Sequence, residues 1–239
     1  MKWMLVVSIV CYCFGSAWRG LFAAGLVAEL IYMGARGLSL GRLPLLGPHD
    51  TLVFFSLSLA IMAIILTYSP ALRSARWFRV SSGLTAGAVT LCAILFPPLN
   101  MPLPQILDTF WFELHVVMAF FGYALFAVGG LVSAAFLLRG ERAWLDIQFK
   151  TVLTGWTLFS ASMVSGGIWG YYAWGTYWLW TPKELWTSIL WLFYALMLHV
   201  RFKGAQGDRM AAWLGIAGVF VMLFTYMGVS MLMKSSHSF

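Results

Sequence analysis

Four imidazoles, at His49, His115, His199 and His237, are the side chains of this 239-residue chain best suited to hold a metal. His115 opens an apolar run in WFELHVVM, His199 lies inside LFYALMLHVR, and His237 follows the last apolar run in KSSHSF. Ionisable side chains are expensive inside a membrane and are found there for a reason. The second unusual feature is Trp169 to Trp186, WGYYAWGTYWLWTPKELW, which packs five of the thirteen tryptophans and three tyrosines into 18 residues. Two readings of that stretch stand at first. It is an aromatic belt at the headgroup level, the commoner use of tryptophan in membrane proteins, or a platform for a flat hydrophobic ligand.

The elements that must position these residues follow from composition. The chain is 62% hydrophobic and only 10% charged, against about 25% charged in a soluble domain. The expected fold is all-α, a polytopic membrane helix bundle of about eight transmembrane helices. The spans are roughly 2–18, 20–35, 50–69, 80–97, 112–138, 151–169, 186–202 and 210–233, the first two short against the ~20 residues a crossing needs. No repeat or long linker divides them, so residues 1–239 read as one integral membrane domain. The net charge of +7 sits in short loops, which argues for topology and against nucleic acid as a partner. Arg19, Arg73, Arg76, Arg79, Arg139, Arg142, Lys150, Arg201, Lys203 and Arg209 fall on one side. Lys2, Arg36, Arg42, Lys183 and Lys234 fall on the other. Ten against five makes the first side cytoplasmic and puts both termini and the tryptophan-rich stretch outside. Cys11, Cys13 and Cys92 lie in apolar runs without a CxxC pair and read as buried thiols. The apolar N-terminus is expected to be an uncleaved helix and not a signal peptide.

On this topology His115 and His237 lie on the tryptophan-rich side. Two imidazoles from different helices beside an aromatic surface suit an iron porphyrin, with nitrogens binding the iron axially and rings covering the macrocycle. That favours the platform. His199 is placed toward the cytoplasmic end of its helix, either as a ligand of a second site within the membrane or as a histidine bonded across helices. His49, beside Asp50 in LGPHDTL, reads as an ordinary loop histidine. Asp108 and Glu113 are placed to bond the second ring nitrogen of His115. Lys183 and Glu184 are expected to orient the loop. No His-x₃-His, GxSxG or paired carboxylates support a hydrolase.

The run GGIWGYYAWGTYWLWTPKELWTSILWLFYALMLHVR resembles the signature region of the CcsA (ResC) family of cytochrome c biogenesis system II, haem-handling proteins with a WWD domain of pattern WGxYWxWDPKE. Trp174, Gly175, Tyr177, Trp178, Trp180, Pro182, Lys183 and Glu184 match in place; Trp169 precedes them. GPHDTLVFFSL, FELHVVMAFFGYALFAVGGLVSAAFLL and FTYMGVSMLMKSSHSF resemble further family segments, and the likeness covers most of residues 45–239. The aspartate of WWD is Thr181 here, a site for a difference in haem grip or client. The resemblance implies that His115 and His237 bind haem b at the outer face, and that His199 contributes to a haem site within the membrane. The second ligand of that inner site would come from a CcsB (ResB) membrane partner. It further implies one subunit of a cytochrome c haem lyase in a bacterial inner membrane or a thylakoid membrane, passing haem to the CxxCH thiols of an apocytochrome c. The alternatives are a haem loader similar to the CcmC branch of system I, which attaches nothing, and a purely structural membrane subunit.

Overall fold

The computed structural model describes residues 2–15 and 19–233, and every regular element among them is a helix. In order these are α1 (Trp3–Phe14), α2 (Arg19–Leu40), α3 (Gly47–Leu66), the one-turn α4 (Pro70–Arg73), α5 (Arg76–Ile94), α6 (Phe110–Arg139), α7 (Ala143–Trp174), α8 (Pro182–Val200), α9 (Ala205–Leu223) and α10 (Val229–Leu232). A π-helical stretch, Phe224–Gly228, joins the last two into one rod. Each apolar segment of the sequence falls on a helix. Six are long and apolar enough to cross a membrane: Gly20–Leu40, Gly47–Leu66, Arg76–Ile94, Phe110–Arg139, Pro182–Lys203 and Ala205–Leu232. The chain is thus a multi-pass helical membrane protein. α1 has 12 residues, about 18 Å of helix, and α7 is diluted by hydroxyls and glycines. Four of those hydroxyls are satisfied within the helix: Thr154, Thr157, Ser160 and Ser165 each donate to the carbonyl four residues back, a bond that hides a polar group from lipid.

The helices gather into two compact units, Met1–Asp108 and Thr109–Phe239. In the first, α1 packs on α2 and α5, and α3 packs on α5. Its interior carries buried polar groups. Arg36 forms a two-point ion pair with Asp50, through Nε at 2.5 Å and Nη2 at 2.9 Å, and donates also to the Leu99 carbonyl and Asn100 Oδ1. Arg36, expected in an outer loop, is therefore a buried tie inside α2 and not a loop cation. His49, expected in a loop, is instead buried in the first turn of α3, with Nδ1 donating to the Ala93 carbonyl and Nε2 accepting from Tyr32. Glycine at 47, with φ +80, and Pro48 start that helix earlier than the apolar pattern suggests. The cysteines are only partly as expected: Cys11 is half-buried, while Cys13 and Cys92 are exposed on faces of apolar helices.

In the second unit α6 and α7 form the most extensive pair. Their contacts run in opposite order, His115 to Ser162, Gly122 to Gly155 and Phe159, Gly129 to Val152, and Ser133 to Gln148. The pair is therefore antiparallel over nearly its whole length. The glycines let the backbones meet: a β-carbon on Gly155 would lie 3.0 Å from Leu125 Cβ, the close approach that small residues permit in membrane bundles. α9 packs on α6 and α8, and Tyr194 of α8 stacks on Phe126 of α6 with centroids 3.6 Å apart.

Candidate functional site

Thr109 caps α6 by accepting from the Phe112 N–H at 3.2 Å, which fixes where the helix begins and puts His115 in its second turn. The imidazole lies in a notch on α7. Its Nδ1 is 2.8 Å from the Ser162 carbonyl, and Ser162 Oγ donates to the His115 carbonyl at 2.9 Å. A carbonyl only accepts, so Nδ1 carries the proton and Nε2 keeps its lone pair. Among the described residues nothing engages Nε2. The floor of the notch is Gly166, where a β-carbon would stand 2.6 Å from Nδ1. The Ser162 carbonyl thus fills the supporting role expected of a neighbouring carboxylate.

The tryptophan-rich stretch is not one loop. Trp169 to Trp174 is the last part of α7, and only Gly175 to Thr181 is non-helical. Gly175 ends α7 in the left-handed conformation, φ 74, with its N–H on the Tyr171 carbonyl at 2.9 Å, the usual glycine stop. The loop then folds back over α7, where β-carbons on Gly167 and Gly170 would press on the carbonyls of Thr176 and Tyr177. Thr181 restarts the chain as the N-cap of α8, with Pro182 in the first turn and Glu184 completing a capping box. The signal was present in the sequence as Thr-Pro-Lys-Glu, a hydroxyl followed three residues later by a glutamate. It also places Thr181 where an aspartate serves equally as a cap.

Glu184 does more than cap. Its Oε2 accepts from the backbone N–H groups of Leu179 and Thr181, each at 2.9 Å. These groups flank Trp180, whose φ of 57 is the one positive value on a non-glycine residue among those described. Left-handed backbone is unfavourable for a residue with a β-carbon, and here it turns the Trp180 indole outward, 70% exposed. Lys183 ties the loop to the other side of the unit. Its Nζ donates to the Tyr226 carbonyl at 2.9 Å and Ser230 Oγ at 2.7 Å, and Tyr226 lies in the π-helical stretch.

The aromatic rings therefore divide into two sets. Trp169 is buried, packed on Phe112 of α6 at 5.5 Å and on Trp174 at 4.8 Å. Trp178 and Trp174 are half-buried, and Trp186 packs on Phe224 at 4.5 Å. Tyr171, Tyr172, Tyr177 and Trp180 are exposed, with Tyr171 and Tyr177 stacked at 4.7 Å. His115, the loop, Lys183 and Glu184 are brought together by α6, α7 and α8. His199 is apart from them, near the far end of α8. It is exposed, with Nδ1 donating to the Ala195 carbonyl at 2.7 Å, so its Nε2 lone pair also has no partner among the described residues. His237 lies outside the described residues, and no group of three or more His, Cys, Asp or Glu side chains able to hold a metal occurs among those that are described.

The fold and the site together define a multi-pass helical membrane protein with a tautomer-fixed imidazole next to a displayed aromatic loop. The model of the family described as cytochrome C assembly protein matches residues 46–237, and the chain belongs to this family, among its CcsA members. It is 26% identical to the cytochrome c biogenesis protein CcsA of a Picosynechococcus species, over 87% of this chain and 82% of that protein. It is 26% identical to the protein of the same name from Guillardia theta, over 87% and 80%. Over 58% of this chain and 57% of the relative it is 31% identical to CcsA of a Synechococcus strain.

Proposed function

We propose that the chain acts in cytochrome c biogenesis by binding haem as cargo on its second unit and presenting it to an apocytochrome c. The observation that carries this is the His115 imidazole, held by the Ser162 carbonyl so that Nε2 is available to iron, beside the loop that displays Trp180 and Tyr177. Carbonyl support of the second ring nitrogen is how proteins fix a ligating histidine. His115 and His237 are the axial pair for the outer site. The loop rings cover the macrocycle, and Lys183 supplies a cation at its edge. The relatives' name, cytochrome c biogenesis protein CcsA, supports the same process.

His199 belongs to a second, inner site. The outward face of α8 bears Leu185, Ile189, Leu192 and Leu196, all exposed, spaced four, three and four residues apart, and His199 comes three residues further on. Such a stripe fits a helix of a partner, and a CcsB (ResB) type subunit would bring the second imidazole. α6 spans, and α7 pairs with it antiparallel along its length, so α7 crosses as well. With α1 this gives eight crossings, and the lysine and arginine asymmetry puts the loop on the extracytoplasmic side. There the chain positions haem while each client thiol adds across a vinyl group. The sulfur bonds to one vinyl carbon, and the thiol proton ends on the other, so no oxidant is consumed. The chain contributes orientation and not a nucleophile.

The test is a pyridine haemochrome assay on the purified chain with and without its partner. One haem alone and two with the partner is the expected result. His115→Ala should remove the outer haem and His199→Ala the inner one. A wild-type chain that carries no haem in either state refutes the proposal. Haem binding without thioether formation on an apocytochrome, in the partner's presence, would instead favour a loader.

A further inference from the structure

The first unit contains a carboxyl that haem handling does not use. Glu29, in the middle of the span Gly20–Leu40, has no solvent exposure. Its Oε2 accepts from Tyr12 of α1 at 2.9 Å, and its Oε1 lies 2.5 Å from Thr90 Oγ1 of α5. Thr90 Oγ1 is also 2.8 Å from Ser56 Oγ of α3 and 3.0 Å from the Ala86 carbonyl. One hydrogen-bonded chain thus joins all four long helices of the unit. An ionisable residue at this depth is a functional feature by default.

The chain of hydroxyls accommodates either charge state without moving a heavy atom. As a carboxylate, Glu29 accepts from Tyr12 and from Thr90. As an acid, it donates through Oε1 to Thr90 Oγ1, whose own proton turns to the Ala86 carbonyl, and Tyr12 still donates to Oε2. Both states leave the buried polar atoms paired, which a static tie does not require. Among the described residues no lysine or arginine bonds to Glu29. The groups facing it are Tyr12, with Cys11 beside it on α1, Ser56 on α3 and Thr90 on α5.

Two further polar pairs continue along the same face of α2. Tyr32 donates to His49 Nε2 at 2.7 Å, and Arg36 pairs with Asp50. Tyr32 and Arg36 stand about 4.5 and 10.5 Å along the helix axis from Glu29, toward the end of α2. Four polar side chains of α2 and α3 thus run from mid-span to that end.

We propose that Glu29 is a reversible proton-binding site in the membrane interior, connected to the C-terminal end of α2 through the Tyr32–His49 and Arg36–Asp50 pairs. The proton comes from water at that end and returns to it; no other co-reactant is involved. The site is independent of the haem reading.

Infrared difference spectroscopy on the purified full chain, titrated with pH in H₂O and D₂O, tests it. The expected result is a protonated-carboxyl C=O band that falls as pH rises and is absent in Glu29→Gln. Thr90→Ala and Tyr12→Phe should each shift that band, which identifies Glu29 even where Glu29→Gln fails to fold. Tyr32→Phe should slow its H/D exchange and leave its amplitude intact. A band that does not change with pH over the range in which the chain stays folded overturns the proton site. So does a spectrum in which neither Thr90→Ala nor Tyr12→Phe moves any carboxyl band. Unchanged exchange in Tyr32→Phe overturns the connecting column.

Discussion

Trp180→Gly should make the protein more stable and a poorer haem binder. The indole is 70% exposed, so its removal sacrifices little burial, while its φ of 57 costs a residue with a β-carbon ~1–2 kcal/mol. Glycine adopts that conformation freely but loses about 0.5–1 kcal/mol through its more flexible unfolded chain. The net gain is roughly 0.5–1 kcal/mol, and for a chain of this size ~2–4 °C of Tm per kcal/mol gives a rise of about 1–4 °C. Loss of one aromatic face from the haem contact removes ~0.5–1.5 kcal/mol, which weakens affinity roughly 2- to 10-fold. Thermal unfolding by tryptophan fluorescence and a haem titration followed in the Soret band measure the two effects on one preparation. Glu184→Leu is the companion, because it releases both flanking N–H groups and should weaken haem binding without removing the ring. A lower Tm with unchanged haem affinity in Trp180→Gly would falsify the assignment of Trp180 as a displayed ligand face.

Substitutions at Thr181, Gly166 and Arg36 probe other parts of the protein. Thr181→Asp should leave stability within about 0.5 kcal/mol of the parent, and Thr181→Ala should lower it by ~1 kcal/mol, since each change is read at an N-cap; thermal melts distinguish a cap from a group needed for its charge. Gly166→Ala puts a methyl 2.6 Å from His115 Nδ1 and should displace the imidazole. The overpacking should cost ~1–3 kcal/mol, and the outer haem should change its Soret spectrum while a haem held by His199 does not. Arg36→Met leaves Asp50 buried without its partner and should destabilise the first unit by ~3–5 kcal/mol. A double change that also makes Asp50→Leu should recover most of that, and failure to recover would mean that the pair's links to Leu99 and Asn100 matter more than its charge.

The helical membrane class was plain in the sequence because hydropathy reports the energetics that place a helix in lipid. The bounds of α7 were not. Its first turns carry Asp146, Gln148 and Lys150, and the apolar pattern therefore begins late. Its last turns carry the aromatics that look like a loop. The positions that end α7 and begin α8 were nonetheless written in Gly175 and in the Thr-Pro-Lys-Glu box, signals of local backbone chemistry and not of hydropathy. For His115 the residue type was legible but its support was not, since the Ser162 carbonyl is a backbone atom 47 residues away and any residue there offers one. Glu29, Tyr12 and Thr90 left no signal as a set, because three polar residues on three helices become a cluster only when the helices pack.

The Thr181 departure from the aspartate pattern fits this division between backbone chemistry and charge. At an N-cap the useful property is an acceptor oxygen on a short side chain, and threonine and aspartate both provide one. The negative charge needed to gather the loop's N–H groups is supplied three residues later by Glu184, which is buried and bonded on both sides of Trp180. A second carboxylate at 181 would lie beside that one and gain only a modest interaction with the helix N-terminus. The residue whose loss should reshape the loop is therefore Glu184. Trp169, Trp174 and Trp186 hold the surrounding helices in place, and Trp180 is the ring the loop is bent to display.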